Sequence, residues 1–216
     1  MDIKDKTTAL IDSLPSHVTL VAVSKTKSLE EISQAYEAGQ RIFGENKIQE
    51  MASKWEELPK DIAWHMIGNV QRNKVKYMAH FVDLIHGVDS IKLLKEIQKQ
   101  AMKHDRIIRC LIQILLAEEE TKFGLPEEEL EGLVQATEDL PNVQIVGLMG
   151  MATFTNNQEQ ITSEFNKLKG LYNNLRNSSS SINTLSMGMS GDYSVAIECG
   201  SNMIRVGSKI FGERNY

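Results

Sequence analysis

The chain has 216 residues, 41% of them hydrophobic and 25% charged, with a formal net charge of −5. That composition excludes disordered and fibrous classes, and the charge gives no general attraction for nucleic acid or an anionic membrane. The two cysteines, Cys110 and Cys199, lie far apart without metal-ligand spacing, which argues against a disulfide scaffold or a zinc site and suits a reducing cytoplasm.

Met1-Asp2-Ile3-Lys4-Asp5-Lys6 is charged and leads into no long apolar core, so no secretory signal is expected. Ile3–Leu14 reads as an opening helix, and Val18–Val23 as the first strand. Ser28-Leu29-Glu30-Glu31 reads as a capping box, opening a helix whose Leu29, Ile32 and Tyr36 share a face. Strands are expected at Arg41–Phe43, Ile62–Ile67 and Phe81–Val88. Between the last two, Arg72, Lys74 and Lys76 begin a helix with a solvated basic face. The most apolar run, Ile107–Leu116, contains Arg109 and Gln113. It is too short to span a bilayer core of ~30 Å and reads as a buried strand. Pro126 before Glu127-Glu128-Glu129 marks a helix start. Val143–Met149 is the sixth strand. Ile161, Phe165, Leu168, Tyr172 and Leu175 make one helix face, and Ser178–Ser181 is a loop. Asn183–Met187 and Met203–Val206 complete the strands.

Strands alternating with helices imply a parallel sheet. Eight units close into a (β/α)8 TIM-type barrel, here with an extra N-terminal helix; five or six would leave an open doubly wound sheet. The runs at 41 and 183 are the weakest of the eight. The expectation is a barrel, as a single domain over residues 1–216.

In a barrel, chemistry collects where strands end. Lys25 follows Leu20-Val21-Ala22-Val23-Ser24 directly. A lysine desolvated there has a lowered pKa and a neutral amine able to attack an aldehyde; the same position also suits an ordinary loop lysine. Lys27, two residues on, reads as the solvated one of the pair. Gly188, Ser190 and Gly191, with Gly207 and Ser208, gather N–H groups and hydroxyls where barrels bind phosphate, although turn chemistry alone also selects Gly and Ser. A lysine across the mouth from a phosphate cup is the pair that pyridoxal phosphate requires. Arg205 ends the eighth strand, either facing a pyridine nitrogen as a donor or paired with a carboxylate at the core edge. His65 and His86 are acid–base candidates or hydrogen-bonded structural residues. Asn46 is a candidate for a ring hydroxyl or a turn residue. Met149, Met151, Met187 and Met189 fit core and pocket packing.

Several motifs together resemble the pyridoxal phosphate homeostasis protein family. They are Val21-Ala22-Val23-Ser24-Lys25-Thr26-Lys27, Phe43-Gly44-Glu45-Asn46, the run from His65 to Lys74, Leu185 through Asp192, and Gly200-Ser201 through Arg205-Val206-Gly207-Ser208 to Gly212. The resemblance spans nearly the whole chain and implies an alanine racemase N-terminal-domain-like barrel. It implies pyridoxal 5'-phosphate held as a Schiff base on Lys25, with Arg205 near the pyridine nitrogen and Asn46 beside the ring. It implies a phosphate cup from Ser190, Gly207 and Ser208, with Ser201 and Asn202 nearby; His65 and Met149 complete the expected cofactor-binding set. Asn202, Asn69-Val70 and the apolar Leu115-Leu116-Ala117 depart from the family's usual residues. Members are associated with vitamin B6 homeostasis, are cytoplasmic and often monomeric, and have no established turnover. Apo-enzymes that need the cofactor are the implied partners. Racemases of this fold carry a further domain that supplies an opposing acid–base group. The chain ends after the final barrel unit, so a non-enzymatic carrier is expected; the alternative is a weak amino-acid racemase using Lys25 with His65 or His86.

Overall fold

In the computed structural model, which describes residues 2–116 and 123–213, eight parallel strands close into a barrel in sequence order. The strands are β1 Thr19–Val23, β2 Ile42–Glu45, β3 Ala63–Met66, β4 Leu84–Val88, β5 Ile108–Gln113, β6 Val143–Met149, β7 Thr184–Ser186 and β8 Met203–Val206. β8 pairs with β1, setting Val21 opposite Arg205 and Ala22 opposite Val206. The weakest sequence runs, at 41 and 183, are both strands, so the ring closes rather than ending as an open sheet. Ala117 of the Leu115-Leu116-Ala117 departure lies outside the described residues, as do Met1 and the end of the expected domain.

Helix α1 (Ile3–Ser13) precedes the barrel, capped by Asp2, whose side chain accepts from Asp5 N. Helix α2 (Leu29–Glu37) opens on Ser28, and the expected capping box is present in both directions. Helices α3 (Ile48–Glu57), α4 (Ile91–Lys103), α5 (Leu130–Gln135), α6 (Gln158–Ser178), α7 (Tyr193–Glu198) and α8 (Ser208–Phe211) follow in turn. The segment after β3 departs from expectation, because Arg72–Tyr77 is a 3-10 helix that buries only Val75. No helix of the described residues is long and apolar enough to cross a membrane.

Alternation along the strands divides the core into two layers. Phe43, Trp64, Met66, Ile85, Leu148 and Ile204 point outward against the helices. Val21, Leu84, Leu111, Val146, Met149 and Met203 fill the barrel itself. Burying one such side chain stabilises by about 1.5–3 kcal/mol. Strict alternation would set Val146 and Met149 on opposite faces, yet both point inward. A bulge achieves this: the pairing shifts between Cys110 and Leu111, so Gly147 rather than Val146 meets Leu111. Position 147 must be glycine, because a Cβ there would lie 1.7 Å from the Thr184 carbonyl oxygen. The bulge brings Met149 beside Ser186 at the upper end of the barrel.

Candidate functional site

Lys25 occupies the turn after β1 and is partly buried. The chain on either side of it is fastened from below. Ser24 is buried; its hydroxyl donates to Glu45 Oε1 at 2.6 Å, and its carbonyl accepts from Lys54 Nζ at 2.8 Å. Thr26, in the left-handed region at φ 66°, donates its N–H to Glu50 Oε1 at 2.6 Å. Lys54 ties these anchors together, bonding Glu45 at 2.8 Å and Glu50 at 2.7 Å. Burial pushes the Glu45 carboxyl up against the pull of Lys54. Burial also acts upward on Glu50, but the bonds from Lys54 and the Thr26 N–H outweigh it and hold that carboxyl low. The turn is therefore rigid before any ligand arrives, which limits the ordering cost of binding. Lys27 is a correction. It is not solvated; its ammonium bonds Glu31 and the Phe211 carbonyl, each at 3.2 Å, and links the turn to α8.

The neighbouring strand end supplies the glycine and hydroxyl cluster. Gly207 follows β8 and packs on Val23, to which an added Cβ would come within 3.3 Å. Its N–H donates to Ser190 Oγ at 3.2 Å, joining the turns after β7 and β8. Gly188 (φ 99°) lets the first of these turns lie on α7, where a Cβ would come within 2.6 Å of Ala196. Ser208 is exposed as the first residue of α8. Lys25, Ser190, Gly207 and Ser208 thus share one mouth. Asn46 follows β2 at the same end and packs directly on Gly68. Ser201 does not join them. It precedes β8, roughly 20 Å of extended chain from Gly207. Its buried hydroxyl donates to backbone, with the Met187 carbonyl at 2.8 Å. Asn202 likewise bonds the backbone of Asn183 and Leu185.

Arg205 is buried, and no carboxylate pairs with it among the described residues. Its Nη1 donates to the Ser186 carbonyl at 2.9 Å and the Ser186 hydroxyl at 2.6 Å, and its Nη2 to the Gly150 carbonyl at 3.0 Å. Burial pushes its pKa down to about 10, so it remains a cation at neutral pH. Three of the guanidinium's five donor hydrogens are accounted for by these bonds, so the fork retains capacity for an acceptor.

Below Arg205 the two histidines meet inside the barrel. His86 Nδ1 lies 3.2 Å from Ser186 Oγ, His86 Nε2 lies 3.0 Å from His65 Nδ1, and His65 Nε2 lies 3.2 Å from Asp83 Oδ2. Arg109 also bonds Asp83. Burial drives both imidazole pKa values down, that of His86 furthest. Burial acts upward on Asp83, but the bonds from His65 and Arg109 outweigh it and keep the carboxyl low. All four histidine ring nitrogens are engaged, so neither residue stands as a free acid–base group at the mouth. Glu45 and Ser186 lie in strand-end motifs quoted above, but no role was expected of either, nor of Lys54. A further sequence signal was the phase that Ser186 shares with Thr184 on β7.

The buried histidines set a pH dependence. They stay neutral in the fold but take up protons in the unfolded chain below about pH 6.5. The unfolded state then binds more protons, so stability falls as pH drops from about 6.5. Asp83 contributes a later loss, below about pH 4, for the opposite reason of a depressed carboxyl. The urea midpoint is expected to be lower at pH 5.5 than at pH 7.5, and the difference to shrink in His86→Gln. Equal midpoints in the wild type would contradict the neutral assignment.

A family model described as alanine racemase, N-terminal domain, matches residues 2–215. A protein of Aquifex aeolicus named pyridoxal phosphate homeostasis protein is 42% identical over 199 residues, covering 91% of this chain and 87% of that protein. PipY of Synechococcus elongatus, solved without PLP, is 33% identical and superposes with a TM-score of 0.93, over 98% of this chain and all of that one. PipY with PLP bound superposes with a TM-score of 0.90. Alanine racemase from E. faecalis shares the fold, with a TM-score of 0.72 and 17% identity over 98% of this chain and 58% of its own.

Proposed function

The chain belongs to the pyridoxal phosphate homeostasis protein family, built on the alanine racemase N-terminal domain fold, and from that premise we propose that it holds pyridoxal 5'-phosphate as a Schiff base on Lys25 and supplies it to apo-enzymes, without turnover of its own. The observation that carries this reading is the pairing of β1 with β8, which sets Val21 opposite Arg205 and packs Gly207 on Val23, so that the Lys25 turn and the Gly207 turn leave the same seam of the barrel. PipY, similar along its whole length, has been solved with PLP bound.

The donor set fits the cofactor. Lys25 offers an amine on a rigid turn, Arg205 a buried donor fork, and the Ser190–Gly207 junction the N–H and hydroxyl groups of a phosphate cup, with Ser208 alongside. Asn46 would flank the ring, and Met149, inside the barrel, would lie beneath it. The bound cofactor supplies an electrophilic aldehyde carbon and an electron-withdrawing ring. Arg205, a cation that donates hydrogen bonds but does not release a proton at neutral pH, would keep the ring nitrogen unprotonated and so weaken that withdrawal.

The same geometry supports a carrier over a racemase. Racemisation needs one group to remove a proton and another to deliver it on the opposite face. His65 and His86 have no ring nitrogen left for either task. His65 therefore acts beneath the site rather than on the ligand. We place the protein in the cytoplasm as a monomer, where both cysteines, free in the structure, stay reduced.

The test loads the protein with pyridoxal 5'-phosphate, removes the free cofactor and adds an apo-enzyme that requires it. Activity should return, while L- and D-alanine incubated with the loaded protein should not interconvert faster than with free cofactor. Racemisation that disappears in Lys25→Ala would overturn the carrier reading.

A further inference from the structure

Five side chains form a single hydrogen-bond chain through the barrel interior. It runs from Asp83, just before β4, through His65, His86 and Ser186 to Arg205 on β8. The two ends lie at opposite mouths, because Asp83 precedes its strand whereas Ser186 ends β7. The ends also differ in kind. An ionised carboxylate only accepts, and a guanidinium only donates. Arg109, bonded to the same carboxylate, keeps Asp83 in its accepting form.

These ends fix every link between them. Asp83 requires a proton on His65 Nε2, which leaves His65 Nδ1 as an acceptor. His86 must then donate from Nε2 and accept at Nδ1. The Ser186 hydroxyl donates to that Nδ1, turning its lone pairs to Arg205. Reversing the chain would set His65 Nε2, as an acceptor, against the carboxylate. It would also give the Ser186 oxygen two donors and no acceptor for its own proton. Both ends select the same direction, so the chain is a fixed strut and not a path for shuttling protons.

We propose that Asp83, with Arg109, is a positioning residue for Arg205, acting through His65, His86 and Ser186 from the mouth opposite the cofactor. The proposal rests on the functional reading above for its significance, but not for its test. In the unliganded protein at pH 7, nitrogen-15 spectra of the imidazoles should show His65 and His86 both protonated at Nε2 alone. The Arg205 side-chain N–H signals should move in Asp83→Ala and return in Asp83→Asn, which restores an acceptor. Affinity for pyridoxal 5'-phosphate should fall between about twofold and thirtyfold in Asp83→Ala and recover in Asp83→Asn. An Nδ1-protonated or doubly protonated histidine in the wild type overturns the proposal, even if Asp83→Ala fails to fold. So do Arg205 signals unmoved in a folded Asp83→Ala. A wild-type protein that shows these tautomers and shifts but binds no cofactor would instead defeat the functional reading alone.

Discussion

The Lys25→Ala variant should gain no visible absorbance when pyridoxal 5'-phosphate is added, whereas the wild type should gain a band that borohydride bleaches and locks covalently. The effect is large, because the two lysines that share the fastening of this turn are held by other partners. Lys54 is nearest in the fastening of the turn, but its ammonium is held by two carboxylates and the Ser24 carbonyl. Lys27 is tied to Glu31 and the Phe211 carbonyl. The Lys27→Ala variant should therefore keep the band. Arg205, Ser190 and Gly207 remain in Lys25→Ala, so non-covalent binding should persist and be measurable by dialysis. A bleachable band that survives in Lys25→Ala would remove Lys25 as the attachment point.

Lys54→Met should be the most destabilising single change around the site, lowering unfolding free energy by about 3–5 kcal/mol, the usual result of leaving one member of a buried ion pair without its partner. Glu45 has no exposed side-chain surface. Without Lys54 its remaining described partner is the Ser24 hydroxyl, and its Oε2 is already buried without one. Burial already pushes this carboxyl up, and the ammonium that opposed the push is then gone. The Ser24 carbonyl loses its donor too, so the Lys25 turn loosens and cofactor affinity falls along with stability. Urea unfolding of Lys54→Met against Lys54→Met/Glu45→Leu separates the causes. The double variant should recover most of the stability, because the stranded carboxyl is gone, but not the affinity. Equal stability of Lys54→Met and wild type would show that the pair contributes nothing.

The barrel was legible because its signal is local. Each strand is a short apolar run, and the count of eight decides between a closed ring and an open sheet. The places of Lys25, Arg205 and Gly207 in the fold were legible for the same reason: each sits at a fixed offset from a strand end. What sequence could not show depends on neighbours distant along the chain. Glu45 and Lys54 meet because α3 folds back over β2, and no spacing rule marks them. His65 and His86 stood out as residue types, but their role rests on Asp83, Ser186 and Arg205, drawn from three strands or their flanks. Ser201 misled because its place in a glycine-and-serine stretch resembles the cup, although it lies at the wrong end of β8. Met149 faces inward only through the bulge at Gly147, which strict alternation does not anticipate.

The seam between β1 and β8 has a consequence for when the protein becomes competent. Lys25 is made before Arg205, Gly207 and Ser208, which ride on the eighth strand and its turn. A nascent chain therefore carries the amine long before it carries the groups that orient a ligand. On the proposed reading, any pyridoxal 5'-phosphate met earlier would find the lysine without the groups that select it over other aldehydes. Once the ring closes, a ligand bridging the first and last strands opposes their separation and raises stability with its concentration. Cofactor saturation would then slow proteolysis that begins with opening of this seam.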